Sequence, residues 1–453
     1  LEVKPKMELS ELSSWVVSKG LELGADEVAS IASYSYSRQI RFANNEVSIT
    51  NNWDSVSVSI LLKKNRRILV SSTTDISRES IEKLLRGMVD AASVVREHES
   101  YAPLPEGPFS YATLRGVYDD RVAELGEEAV DYVEAAINSA LEAGAERAAG
   151  TLTATRLQYS LSTSRGVSAT HRKTGISLMV RALADGEAAG MGVSCGASLR
   201  DFRPEEAGGK AGELARMSLK VVQADAGKYT TVLGRPAAAV FFDIVAGMAS
   251  AFYVDSGLSC FTDRLREQVA SETVYVYDDP LVEDGLGSTP FDDEGLPTKR
   301  NTIIEGGVLR SYLHNSITAK RHGKKSTANA GWIAPHAWNI IVESGNYGDE
   351  ELISEARNGL FVNNMTYVRF QDYRAGDFST IIRDGVFKIE NGEIVGAVRR
   401  LRLSDNVLHM LKHVRALSRY SQQISHWWME WGTPSVWTPR LLIEDANYTL
   451  PAR

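Results

Sequence analysis

Apolar and polar positions alternate between a helical and a strand period along this chain, and the order of the two is repeated. Leu12, Trp15, Val16 and residues 19–23 recur at helical spacing and stop at Gly24, which suits a left-handed cap. Strand alternation follows, clearest where Val56, Val58 and Ile60 share one face. Asn44-Asn45 and Lys63-Lys64-Asn65 are turn candidates. A second helix starts near Ser77, which can cap it, with Ile81, Leu84, Leu85 and Met88 inward.

The same order then recurs. A helix is predicted over 127–143, with Ala129, Val133, Ile137, Ala140 and Leu141 on one face. Its exit, Leu141-Glu142-Ala143-Gly144-Ala145-Glu146, echoes Leu21-Glu22-Leu23-Gly24-Ala25-Asp26. Strands with turns at Arg165-Gly166 and Asp185-Gly186 lead to a helix over 204–222 opened by Pro204. Helix, strands, helix, written twice, reads as a short internal duplication.

From about residue 230 strands and turns dominate. A strand is expected over 271–278, two strands hinged at Gly306-Gly307 over 301–313, and a hairpin over 386–398 turning at Asn391-Gly392. One late helix is expected over 404–418 and a buried one over 236–253. The fold class expected is α+β: two N-terminal helix–strands–helix modules, then a β-rich, barrel-like C-terminal domain. The boundaries are residues 1–100, a linker 101–115 marked by Pro103, Pro105 and Pro108, then 116–226 and 227–453.

Composition narrows the function classes. A chain of 453 residues exceeds one ordinary core. Lys and Arg number 50 against 58 Asp and Glu, a net charge of −8 with no basic cluster, so no nucleic-acid partner is expected. No run reaches the ~18 apolar residues of a membrane span, and the N-terminal residues lack the apolar core of a signal peptide. Cys195 and Cys260 read as small buried residues in a reducing compartment, and the expected location is the cytoplasm.

The candidate chemistry is sparse. Zinc hydrolysis needs two His on one helical face and a carboxylate to activate water. Of eight His, only His98 precedes an acid, and Pro103 closes any helix there. His409 and His413 stand at i and i+4, opposite the apolar stripe of the expected late helix (Val407, Met410, Leu411, Val414), either solvated or presented to a partner. They are the weak metal candidates together with Asp243. Asp278-Asp279, Asp292-Asp293 and Glu294 carry oxygen ligands suited to a divalent cation, but charged loops at strand ends explain them more simply. Trp427, Trp428, Trp431 and Trp437 fall within eleven residues, forming either a core corner or a groove for an extended peptide.

Several short motifs occur in a fixed order: Asp278-Asp279-Pro280, Gly306-Gly307-Val308-Leu309, Gly376-Asp377-Phe378-Ser379 and Ile389-Glu390-Asn391-Gly392-Glu393-Ile394. This series resembles the C-terminal region of the TldD/PmbA family of zinc peptidases. Arg41-Phe42-Ala43-Asn44-Asn45-Glu46 and Ser71-Ser72-Thr73-Thr74-Asp75 resemble its first domain, and 161–166 with 207–215 its middle domain. In the zinc-binding branch a helix carries His-Glu-x-x-x-His. The matching positions here are Asp243, Ile244 and Met248, and residues 235–254 contain no His. The late Cys ligand of that branch has no counterpart in Ser425-His426-Trp427-Trp428-Met429-Glu430-Trp431-Gly432.

The resemblance therefore implies the PmbA (TldE) branch: a non-catalytic subunit, with no cofactor of its own, that pairs with a TldD-type zinc subunit. The partner's zinc would cleave an unfolded peptide in a shared chamber, and a homodimer is the expectation when the chain is alone. Peptide- or partner-contact candidates are Trp427, Trp428, Trp431, Gly376 and Asp377. Two rival readings stay open: an independent metal-dependent hydrolase using His409, His413 and Asp243, and a stand-alone peptide-binding protein.

Overall fold

The computed structural model describes residues 8–425 and 435–450. The first module comprises α1 (Leu9–Glu22), β1 (Glu27–Ala43), β2 (Glu46–Lys64), β3 (Arg67–Thr73) and α2 (Arg78–Ala91). The second comprises α3 (Asp120–Ala123), α4 (Ala129–Glu142), β4 (Arg147–Thr163), β5 (Ser168–Leu183), β6 (Ala189–Gly196) and α5 (Pro204–Met217).

Both modules share one antiparallel sheet in the order β3-β2-β1-β4-β5-β6. Its centre is the β1–β4 pairing, which runs from Ala29↔Thr163 to Phe42↔Gly150. Two like units meeting strand to equivalent strand is the arrangement a duplication gives. The local chemistry repeats too: α1 and α4 end in the same cap, with Gly24 at φ 96° and Gly144 at φ 107°. In each, the following amide reaches back to a carbonyl five residues earlier, Ala25 to Gly20 at 3.1 Å and Ala145 to Ala140 at 3.0 Å. The Ser77 hydroxyl caps α2 by accepting from the Ser80 amide at 3.3 Å.

Two turns behave as their residues require. Asn44 and Asn45 (φ 52° and 69°) join β1 to β2 in the left-handed region that Asn tolerates. The next turn falls on Asn65 and Arg66 rather than on 63–65, because Lys63 continues the strand and is wholly buried. Residues 101–114 hold no helix or strand, yet they are packed down: Leu104 is buried, and its amide donates to Glu27 at 2.9 Å.

The C-terminal part opens with β7 (Gly227–Leu233), α6 (Arg235–Met248), α7 (Ala251–Asp255), β8 (Val276–Asp278), β9 (Asn301–Glu305) and β10 (Val308–Leu309). It continues with α8 (Ser316–Arg321), β11 (Asn339–Val342), α9 (Asp349–Ala356), β12 (Gly359–Asp372), β13 (Asp377–Glu390) and β14 (Glu393–Ala397). It closes with β15 (Arg402–Asn406), α10 (Val407–Lys412), β16 (Val414–Leu417), β17 (Gln422–Ile424), β18 (Ser435–Thr438) and β19 (Leu441–Thr449).

β12, β7, β19, β15 and β13 pair in sequence, and β13 returns to β12, closing a five-stranded barrel among the described residues. A second sheet, β10-β9-β8-β11-β18-β17, stands beside it. One apolar core, including Phe241, Phe242, Ile340, Leu360, Phe378 and Val436, joins α6 to both.

Three expected elements differ. The strand over 271–278 is only β8. The helix over 236–253 breaks at Ala249–Ser250, where the backbone bridges Leu313 through bonds of 2.9 and 3.0 Å. The late helix shrinks to α10: Asn406 caps it by accepting from the His409 amide at 3.1 Å, and 414–417 becomes a strand on β19. The apolar spacing there serves either period, and pairing with β19 decides it.

Candidate functional site

The family-motif helix, α6, is set by its ends and its packing. Gly234 precedes it in extended backbone and Pro236 suits its first turn. Arg235 stands at the helix N-terminus, where a cation is unfavourable, and is neutralised there. Its Nη2 donates to both Asp349 carboxylate oxygens at 2.8 Å, and its guanidinium lies 4.5 Å over the Tyr420 ring. Ala237, Ala238, Phe241, Phe242 and Val245 are buried against β11, β12, β17 and β18.

What α6 leaves partly open is Asp243, Ile244 and Gly247, one helical face. Burial pushes the Asp243 carboxyl up to about 6. It has no hydrogen-bond or ion-pair partner among the described residues. One carboxyl on this face can accept a hydrogen bond, or donate one when protonated. It does not suit zinc, which takes three or four N, S or O ligands in a tetrahedron. Ile244 and Gly247 bring no donor atom, and among the described residues no three His, Cys, Asp or Glu side chains group as a metal-ligand set.

The acids read as charged loops are mostly interior. Asp278, Asp292 and Glu294 are at most 1% exposed. Asp278 accepts from Asn329 Nδ2 and the Trp338 amide, both at 2.6 Å, and burial still pushes it up to about 6. Asp292 accepts from the amides of Glu294, Leu296 and Ala330 at 2.9 to 3.1 Å. Glu294 accepts from the Ser316 amide at 3.0 Å, at the start of α8. These carboxylates are consumed by donors of the protein itself, which is why they fold inward and do not form a cation site.

The network continues on the second sheet. Ile340, Val436 and Ile424 sit side by side in register and face the core with α6. Their neighbours Asn339, Ser435 and Gln423 therefore face the other way. There the Ser435 hydroxyl shares its one proton between Asn339 Oδ1 at 2.8 Å and Gln423 Oε1 at 2.9 Å. The Cys195 thiol on β6 donates to the Gln423 carbonyl at 3.3 Å, so this polar seam joins the barrel half to the N-terminal sheet. A second seam holds Lys63, whose Nζ donates to the Ala102 carbonyl at 2.8 Å and lies 3.9 Å from Glu27.

The remaining candidates separate from α6 in their roles. His409 Nδ1 meets the Asp405 carboxylate at 2.9 Å, and His413 Nδ1 donates to the His409 carbonyl at 2.8 Å. The two rings lie against each other, centroids 4.1 Å apart and planes tilted by 39°, and are half-buried, so they pack together at α10 instead of projecting as a solvated pair. Gly376 (φ 88°) turns β12 into β13, and a Cβ there would press on Cys260 at 3.0 Å. Asp377 accepts from Asn406 Nδ2 at 2.7 Å, bracing the same turn. Cys195 and Cys260 are free and buried. Trp427, Trp428 and Trp431 lie outside the described residues, while Trp437 is half-buried on β18. Sequence reasoning missed the buried acid–amide seam. Its signal was an acid run flanked by Pro290-Phe291 and Gly295-Leu296, with Asn329 and Asn339 downstream to supply donors.

Comparison with known proteins places this geometry. Residues 31–92, 123–219 and 226–449 match, in turn, domain 1, the central domain and the C-terminal domain of the PmbA/TldA metallopeptidases. A metalloprotease of Methanocaldococcus jannaschii is 33% identical over 44% of this chain and 46% of its own length. The metalloprotease PmbA of Escherichia coli is 34% identical over 34% of this chain and 32% of its own. The chain thus spans half or less of the length of these curated relatives. Among solved structures, a Thermotoga maritima protein described as a modulator of a DNA gyrase superposes with a TM-score of 0.86 at 23% identity, covering 98% of this chain and 100% of that one. TldE from Thermococcus kodakarensis gives 0.85 at 19%, covering 97% and 100%. At these identities the structures speak to the fold. With all three domains matched in order, this chain belongs to the PmbA/TldD metallopeptidase family.

Proposed function

We propose that this chain is a TldE/PmbA-type subunit that is not catalytic by itself and completes a two-chain peptidase with a TldD-type partner. The observation that carries the reading is the open face of α6: one carboxyl, an isoleucine and a glycine where hydrolysis needs imidazoles and an activating carboxylate. In this reading the partner supplies zinc, and the present chain forms part of the wall of a chamber that holds an unfolded peptide. The family name and the likeness to a protein called TldE support it.

An extended peptide or partner strand needs free backbone donors and acceptors. β2 offers such an edge: it pairs with β1 along its length but with β3 only from Val58 to Lys64. Val47, Ile49 and Trp53, on the part without a second partner strand, are exposed.

Co-expression with a TldD-type chain tests the assignment. The expected product is a stable complex containing zinc, while this chain purified alone contains none. Stoichiometric zinc in the isolated chain, lost in a His409→Ala/His413→Ala variant, would favour the independent-hydrolase reading instead. Failure to co-purify, with peptide binding intact alone, would favour a stand-alone binder.

A further inference from the structure

Where β5 of the second module meets β13 and the loop between β14 and β15, the surface folds into a cavity of about 190 Å³. Arg181, Arg383, Arg399 and Arg400 line it, with Glu187 and Asp384 as the acids among its walls. Four guanidiniums against two carboxylates leave an excess of positive charge, on a chain whose net charge is −8.

The hydrogen bonding keeps that charge usable. Asp384 is buried and accepts from Arg181 Nε at 2.7 Å and from Arg383 Nε at 3.0 Å. Both bonds use Nε, and among the described residues no partner takes the Nη groups of either arginine. Arg399 reaches Glu187 at 3.0 Å on the rim, and Arg400 has no partner among the described residues. Two wall residues, Asp384 (φ 56°) and Arg400 (φ 65°), hold the left-handed backbone that non-glycine residues seldom adopt. Ile382, Val386 and Val398 supply an apolar floor.

From the convergence of these donors we propose that the pocket binds an oxyanion, either the terminal carboxylate of a peptide or a free phosphate. A planar guanidinium fork matches both anions by paired N–H bonds. The cavity admits such a group but no folded partner. Because the side chains of Arg181, Arg383 and Arg399 are 36 to 40% exposed, binding should weaken as salt rises. The proposal is independent of the accessory-subunit reading, since it concerns the isolated chain.

Titration calorimetry on the full chain at low ionic strength tests it, using inorganic phosphate, trialanine with a free carboxylate, and trialanine amide. One saturable site for phosphate or for the free-acid peptide is expected, with the amide not bound. An Arg399→Gln/Arg400→Gln variant should bind at least tenfold more weakly, and Arg96→Gln, on a distant exposed side chain, should bind as the parent does. Phosphate alone binding assigns a free anion as the source; the acid peptide alone binding assigns a chain terminus. Absence of any saturable oxyanion binding, equal affinity in the double variant with its thermal melt unchanged, or amide binding as tight as acid binding would overturn it.

Discussion

Lys63 shows what a single residue can decide in this chain. Its charge sits wholly buried between Glu27, the Ala102 carbonyl and, further off, Glu294, and burial lowers its pKa. Removing the amine leaves buried Glu294 without that cation and Glu27 with Arg165 alone, 3.8 Å away, so Lys63→Ala should cost roughly 3–5 kcal/mol, visible as a large fall in the thermal midpoint; Lys63→Met, which keeps the volume, should show the same direction. Asp243 makes the opposite kind of test. Its folded carboxyl titrates near 6, above the ordinary aspartate value near 3.9, so the native state holds a proton that the unfolded chain has released. Stability that Asp243 contributes is therefore present at low pH and lost as pH rises from about 4 to 6. Asp243→Asn should gain on the parent across that window by on the order of 1–3 kcal/mol and stay level above about pH 7, as denaturant midpoints at several pH values would show. Residue types alone did not reveal either environment. Lys63 looked like part of a polar turn, and Asp278, Asp292 and Glu294 looked like solvated loop acids, because burial of a charge depends on donors brought from distant segments.

Element boundaries were legible wherever backbone chemistry is local. The Asn44-Asn45 and Asn391-Gly392 turns, the Gly24 and Gly144 caps and the Ser77 cap all need only their own few residues. The late helix was not legible, since β16 exists only by pairing with β19. Barrel closure was visible as a class of shape but not as a strand order. Helix α5 gives a direct test of packing against propensity. A Cβ at Gly208 would lie 2.0 Å from the Ala136 carbonyl of α4, whereas Gly209 has nothing within 4 Å. Gly208→Ala should destabilise by roughly 1–3 kcal/mol despite alanine's better helix propensity, while Gly209→Ala should stabilise by about 0.5–1 kcal/mol. Thermal melts of the two variants should move in opposite directions. Melts that both move upward would mean that α4 and α5 do not approach as closely as described.

At the scale of the whole molecule, two modules of like element order share a sheet, and a polar seam through Gln423 and Asn339 ties that sheet to a barrel half whose central helix bears no imidazole. No helix of the described residues is long and apolar enough to cross a membrane. The order of motifs made the family readable before any coordinates, because several short signatures in sequence constrain more than one. The division of labour between two chains is where the reading must be met by experiment. Hydrolysis of an unstructured peptide should be followed with this chain alone, with a TldD-type zinc chain alone, and with both together. Cleavage that is absent with this chain alone and strongest in the mixture is the expected result. Zinc-dependent cleavage by this chain alone, at the rate of the mixture, would contradict the account.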